Sequence, residues 1–267
     1  MKHSFLRRIL TALIILPLFF SCKKGNNDSH TFYGPPVALG NGIARSLLEV
    51  DPDGKPLSIG VELTKGALQN LPASGQSETV DYVEYPLLFD SKVQPLIQQL
   101  TPFKHLILDW EPHGHPPAGV FTVPHFDFHF YMISPDDRLA IPQPSPSSMA
   151  MFNLAPSPGY LPADYTIPGA PVAQMGTHWL DHTMPELPPT LQPFTHVLIY
   201  GSYNGKVVFL EPMATRDFLA SGTEVHKAIK QPLNYDQPGK YYPTRYNVYT
   251  SAETNKIYFI MDQFVLR

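Results

Sequence analysis

Proline occurs 30 times in 267 residues, about twice its average usage. A residue with no backbone N–H, whose ring clashes with the preceding helical turn, is confined to helix starts, strand edges and turns. Long helices are therefore not expected. The chain must be built from short strands, rigid turns and loops. The apolar runs between the prolines predict a mainly β protein: one antiparallel barrel or sandwich domain with two or three short helices. A chain of this length suits a single all-β unit.

The first residues read as an address. Lys2, Arg7 and Arg8 precede an apolar run from Ile9 to Phe20, which is signal-peptide length and too short for an ordinary membrane span. The run ends in Phe19-Phe20-Ser21-Cys22, and Cys22 is the only cysteine. It has no disulfide partner within the chain, so an exported protein must use it otherwise. The pattern resembles a bacterial lipoprotein signal. Residues 1–21 are expected to be removed, Cys22 to be lipidated as a membrane anchor, and residues 22–30 to form a polar tether. Residues 31–267 are the expected β-rich metal-binding domain. This places the protein in the bacterial cell envelope, facing the periplasm or the exterior. The formal charge is −4 with no basic stripe, which excludes nucleic acid as a partner.

Turn chemistry marks the strands. Ala44–Val50 and Leu57–Leu63 flank Asp51-Pro-Asp-Gly-Lys-Pro56, Thr195–Ser202 and Lys206–Glu211 flank Tyr203-Asn-Gly205, and Thr244–Thr250 and Lys256–Phe264 flank Ala252–Asn255. Each reads as a β-hairpin, the Asn-Gly pair most strongly. Strands are also expected over Val80–Phe89 and Phe103–Trp110. Helical turns are expected near Lys65–Leu71, over Ser91–Leu100 with Asp90 or Ser91 as cap, and over Thr215–Leu219, closed by Gly222. Asp136–Pro171 is rich in proline but carries Met149, Met151, Phe152, Tyr160 and Tyr165. Such a segment is expected to pack over the sheet as an ordered excursion or lid.

The chemistry concentrates in Asp109–Tyr131, which holds His113, His115, His125 and His129, four of the chain's 11 histidines. Pro124-His-Phe-Asp-Phe-His-Phe-Tyr131 alternates with the period of a strand. His125, Asp127, His129 and Tyr131 share one face, and Phe126, Phe128 and Phe130 share the other. Imidazole and carboxylate are the usual ligands of zinc, iron and manganese. A flat strand, however, separates His125 from His129 by about 13 Å, and adjacent same-face residues by about 6–7 Å. One ion cannot reach both histidines unless the strand bulges or only one end of the row is used. The remaining ligands must come from elsewhere. His115 is carried back by the turn at Pro116–Gly119, His178 is presented from a loop by Gly176-Thr-His-Trp179, and Glu211 shares a strand face with Val207 and Phe209, where a carboxylate needs a partner. The expected metal ligands are His115, His125, His129, His178 and Glu211. Asp127 is the expected orienting group or catalytic base. His105, His113, His182, His196 and His226 are read as structural.

Four segments carry a resemblance: Gly114-His-Pro-Pro-Ala-Gly-Val-Phe121 and Pro124–Tyr131, then Met175-Gly-Thr-His-Trp-Leu-Asp181, then Tyr200–Val207 with Glu211-Pro-Met213. Together they resemble an uncharacterised family of exported bacterial proteins, typified by a hypothetical protein under extracytoplasmic-stress sigma-factor control. The resemblance implies a β-rich domain with a histidine-centred site and assigns no activity. A broader, fold-level likeness is to cupins, small β-barrels that hold a metal through His-X-His, a glutamate and a later histidine. His113-Gly-His115 departs from that pattern, because no glutamate follows three or four residues on. Three functions are compatible with these residues. The first is a metal-dependent enzyme acting on a small molecule. The second is a non-enzymatic protein that sequesters metal or senses envelope stress. The third is a binding or scaffold module with structural histidines.

Overall fold

The computed structural model describes residues 29–77 and 81–267. The apolar leader and Cys22 lie outside the described residues, as does most of the expected tether. Strands are β1 (His30–Tyr33), β2 (Val37–Leu39), β3 (Gly42–Val50), β4 (Pro56–Thr64), β5 (Val83–Leu87), β6 (His105–Glu111), β7 (His125–Tyr131), β8 (Tyr165–Val172), β9 (Gly176–Asp181), β10 (His196–Tyr203), β11 (Lys206–Thr215), β12 (Val225–Ala228), β13 (Tyr241–Tyr242), β14 (Arg245–Thr250), β15 (Lys256–Asp262) and β16 (Val265–Leu266). Four short helices join them: α1 (Gln94–Leu100), α2 (Pro135–Leu139), α3 (Met149–Asn153) and α4 (Arg216–Ser221). Lys65–Leu68 adds a 3-10 turn.

Two seven-stranded antiparallel sheets make a sandwich. One has the order β1-β3-β4-β15-β14-β12, with β2 also on β3, and the other β5-β6-β7-β11-β10-β9-β8. Of the two expected architectures the chain adopts the sandwich, and neither sheet closes into a barrel among the described residues. The alternation of β7 explains why. Phe126, Phe128 and Phe130 are fully buried between the sheets with Ile59, Val61 and Leu63 of β4 and Phe259 of β15. The Phe128 and Phe259 rings stack at 4.6 Å. Each buried phenylalanine contributes roughly 1.5–3 kcal/mol relative to an exposed one, so this row fixes the register of β7. A slip of one residue would drive its histidines into the core.

The hairpins fall where turn residues predict them, β10 and β11 being joined by Asn204–Gly205. The α4 helix starts at Thr215, whose side chain accepts the Phe218 N–H, and stops at left-handed Gly222. Three expectations need correction. The α1 helix begins at Gln94, with no side-chain cap; Asp90 instead accepts the Lys92 N–H. His178 is not on a loop: it lies on β9, opposite Gly201 of β10. The excursion holds most of α2 and all of α3 and ends in β8, an edge strand whose pairing with β9 shifts register between Tyr165 and Ile167 and between Pro168 and Pro171. Val207 does not share a face with Glu211. The register of β10 on β11 shifts past Gly201, so Val207 packs with the core between the sheets. Phe209 and Glu211 point the other way, as a bulge allows.

Candidate metal centre

The site is built on the outer face of the second sheet. Directly opposed residues on antiparallel strands share a face. Asp109 lies opposite Asp127, and Glu111 opposite His125. On the other side of β7, Phe209 pairs with Tyr131 and Met213 with Asp127, which brings Glu211 beside His129. Gly201 of β10 is opposite both Phe209 and His178. Four strands thus turn one polar patch outward. Two apolar clusters flank it, one around Phe121, Phe194 and Ile199 and one around Ile107, Tyr131 and Phe209.

Within this patch the expected ligands separate into two groups, each able to hold a metal ion: His115, His125 and Asp127, and His129, His178 and Glu211. The donor atoms of each group lie within 4.8 Å of one another. The strand-rise difficulty is thereby resolved: His125 and His129 belong to different groups. Asp127 sits among candidate ligands, with Oδ1 3.1 Å from His125 Nε2 and Oδ2 3.4 Å from His115 Nε2. In the other group, Glu211 Oε2 is 3.5 Å from His129 Nε2 and 3.4 Å from His178 Nε2.

These spacings decide how the groups fit an ion. A charge-assisted N–H···O bond would close to about 2.7–2.9 Å. Donors 2.0–2.1 Å from a tetrahedral ion stand roughly 3.3–3.4 Å apart. Three of the four contacts, at 3.4–3.5 Å, fall at the second spacing, and His125–Asp127 at 3.1 Å lies midway between the two. His125 Nε2, Asp127 Oδ1, His129 Nε2 and Glu211 Oε2 are also buried and make no hydrogen bond, a costly state for polar atoms. One cation in each group would satisfy all of them.

The outer nitrogens are held. His115 Nδ1 lies 2.7 Å from the Pro116 carbonyl and His125 Nδ1 2.7 Å from the Val123 carbonyl. A carbonyl only accepts, so both Nδ1 atoms carry the proton, and Nε2 is the nitrogen left to coordinate an ion. His129 Nδ1 is 2.8 Å from Asp109 Oδ2, the carboxylate–histidine pairing common behind metal ligands, although the angle falls outside hydrogen-bond geometry. Gly114 makes the loop possible. A Cβ there would meet the Phe121 carbonyl at 2.0 Å, and the His115 N–H donates to that same oxygen.

Electrostatics divide the groups. Burial pulls His129 down to about 4 and His178 to about 3, the latter helped by the charge on His129. Both are therefore neutral, the ligand form. Burial also works against charge on His115, but the adjacent Asp127 carboxylate outweighs it and holds His115 at about 9, so an ion binding there displaces a proton. Asp127 itself stays below the usual carboxylate range: burial pushes it up, and the close positive charges of His125 and His115 pull it further down. Burial, with neighbouring carboxylates, raises Glu211 and Asp109 well above their ordinary values and Glu111 to about 9.

Both groups open on a cavity of about 500 Å³. Its walls include Ile167, Pro168, Val172, Met175, Leu180 and Ile199, with Glu111, His115, Asp127, His129, His178 and Glu211 on its floor and sides. No lysine or arginine lines it among the described residues. The excursion supplies a wall through β8, and His178 hydrogen-bonds the Ala170 backbone there. The remaining histidines sit apart. His105 stacks on Tyr131 at 4.7 Å, His196 stacks on Phe218, and His226 pairs with Asn247. His113 and His182 are exposed.

Sequence reasoning missed Asp109, Glu111 and Phe209. The signal for the first two was available, since carboxylates two apart in an otherwise apolar strand must share a buried face. Phe209 had none, because its role depends on the ring lying between His129 and His178, 4.8 and 5.2 Å away. No protein-family model, curated protein or solved structure matches this chain.

Proposed function

We propose that this is a metal-dependent enzyme of the bacterial cell envelope, anchored through Cys22 and acting on a small, uncharged, largely apolar substrate. One observation carries the reading: His129, His178 and Glu211 form a three-donor group whose open side is the cavity. Three protein ligands with a free position favour catalysis over a closed structural site. A cavity of about 500 Å³ is the size of a small-molecule pocket. Apolar walls that carry no lysine or arginine among the described residues favour an uncharged molecule.

An ion held there, zinc, iron or manganese from the N,N,O donor set, supplies Lewis acidity and lowers the pKa of a bound water. The chain does the rest. Asp109 orients the His129 ring. The apolar walls exclude bulk water and align the substrate. Asp127 keeps the orienting part of its expected role, since its oxygens face His115 and His125. Glu111 lines the cavity, belongs to neither group, and carries the proton exchanged with substrate. The leader and the resemblance to exported proteins support the envelope placement.

The test uses full-length protein without an affinity histidine tag. Metal analysis should find bound transition metal, reduced in His129→Ala. Metal-loaded protein should turn over members of a panel of small esters, lactones and amides. Glu111→Gln should keep the metal and lose turnover. Metal content near zero, with His129→Ala as stable as wild type, would sink the reading. Metal without turnover on any substrate would leave sequestration as the function.

A further inference from the structure

The geometry points to a second divalent transition-metal site at His115, His125 and Asp127, loaded independently of the His129 group, whose ion clamps the 112–124 loop onto β7 as a wall of the cavity. The inference does not depend on the catalytic reading. The first observation is burial without partners. The His125 and Asp127 side chains are 0% and 3% exposed, yet His125 Nε2 and Asp127 Oδ1 make no hydrogen bond. Two buried polar atoms left unbonded against each other in this way carry a desolvation cost that a cation between them removes. The second is orientation. Each imidazole commits Nδ1 to a carbonyl of its own loop, so the protonation that would let Nε2 serve as a simple donor is not required by any backbone contact. The third is separation. No donor is common to the two groups. The strand rise puts the Cα atoms of His125 and His129 about 13 Å apart, beyond the reach of one ion.

The clamp follows from which element carries each donor. His125 and Asp127 stand on β7, held by the phenylalanine row beneath. His115 is on the loop, with its ring against Phe121 at 5.6 Å and His125 at 4.9 Å. Gly114, His115, Pro116, Pro117 and Phe121 line the cavity. An ion joining His115 to β7 therefore fixes that wall. His115 and Asp127 line the cavity but His125 does not, in contrast to the His129 group, whose members all line it, so this ion sits at the wall.

The experiment is a zinc titration of chelator-stripped full-length protein, read as bound zinc per chain and as protease cleavage within the 112–124 loop. Wild type is expected to bind two zinc ions, and zinc to slow cleavage of the loop at least fivefold. His125→Ala should bind one and lose the protection. His129→Ala should bind one and keep it. If His125→Ala fails to fold, His115→Ala gives the same reading from the loop side without touching β7. A single zinc, lost in His129→Ala and kept in His115→Ala, overturns the proposal and leaves the catalytic reading standing. A single zinc lost only in His115→Ala or His125→Ala supports the proposal and removes the catalytic reading. Loss of both ions in any one variant overturns independent loading.

Discussion

Asp109 belongs to neither metal group, yet it stands 2.8 Å behind His129. Carboxylates in that position fix the ring and raise its basicity. Asp109→Asn is expected to weaken zinc binding at the His129 group by about 10–100-fold while leaving the His125 group unchanged, as a competition titration against a chromophoric chelator would measure. A second buried carboxylate works purely for stability. Glu62 on β4 is 1% exposed and bonds Arg45, Lys256 and Tyr258. Burial raises its pKa, but these partners win and lower it below the ordinary 4.5. The folded value lies below the unfolded one, so the stabilisation is complete above the unfolded value of 4.5 and is lost as pH falls through the folded value. Glu62→Gln should cost about 1–3 kcal/mol at neutral pH. Denaturant curves taken at decreasing pH should show the gap to wild type closing in acid.

At the scale of elements, β10 and β11 show how a backbone detail sets a site. A Cβ on Gly201 would lie 1.9 Å from the Phe209 ring. Glycine lets that ring lie flat across the strand and wedge between His129 and His178. Gly201→Ala should push the ring toward both histidines, lower zinc affinity at the His129 group at least tenfold, and destabilise the fold by roughly 1–3 kcal/mol as overpacking does. Zinc titration together with a denaturation midpoint would check both. An unchanged affinity would mean that the wedge does not position the ligands. The bulge beside it was invisible in the sequence, since alternation alone put Val207 on the face of Glu211. Bulges are set by how two strands meet, and the period of one strand carries no record of that.

For the molecule as a whole, one sheet face makes the core and the opposite face of the same sheet makes the site. The inner row of β7 holds the sandwich together with or without an ion. The outer face of the same sheet buries Asp109 and Glu111 of β6, Asp127 of β7 and Glu211 of β11, carboxylates whose ionised forms are tolerated there only when countered by a cation. Metal should therefore stabilise the whole fold. Each site saturated at a hundred times its Kd adds about 2.7 kcal/mol, or roughly 5–10 °C in Tm for a chain of this size. Scanning calorimetry of stripped and zinc-loaded protein would measure this, and no shift on loading would contradict metal binding to the folded state. The central strands, the hairpin turns, the phenylalanine face and the candidate ligands were legible in the chain, because period and turn chemistry are local; β1, β2, β8, β9 and β12 were not. The partition of the ligands into two groups was not. Strand rise showed only that His125 and His129 cannot share an ion. The return of the His115 loop was readable from the turn at Pro116–Gly119, but what His129 would meet depended on β11 lying beside β7 and β9 beside β10, contacts between segments far apart in sequence, settled only when the sheet assembles.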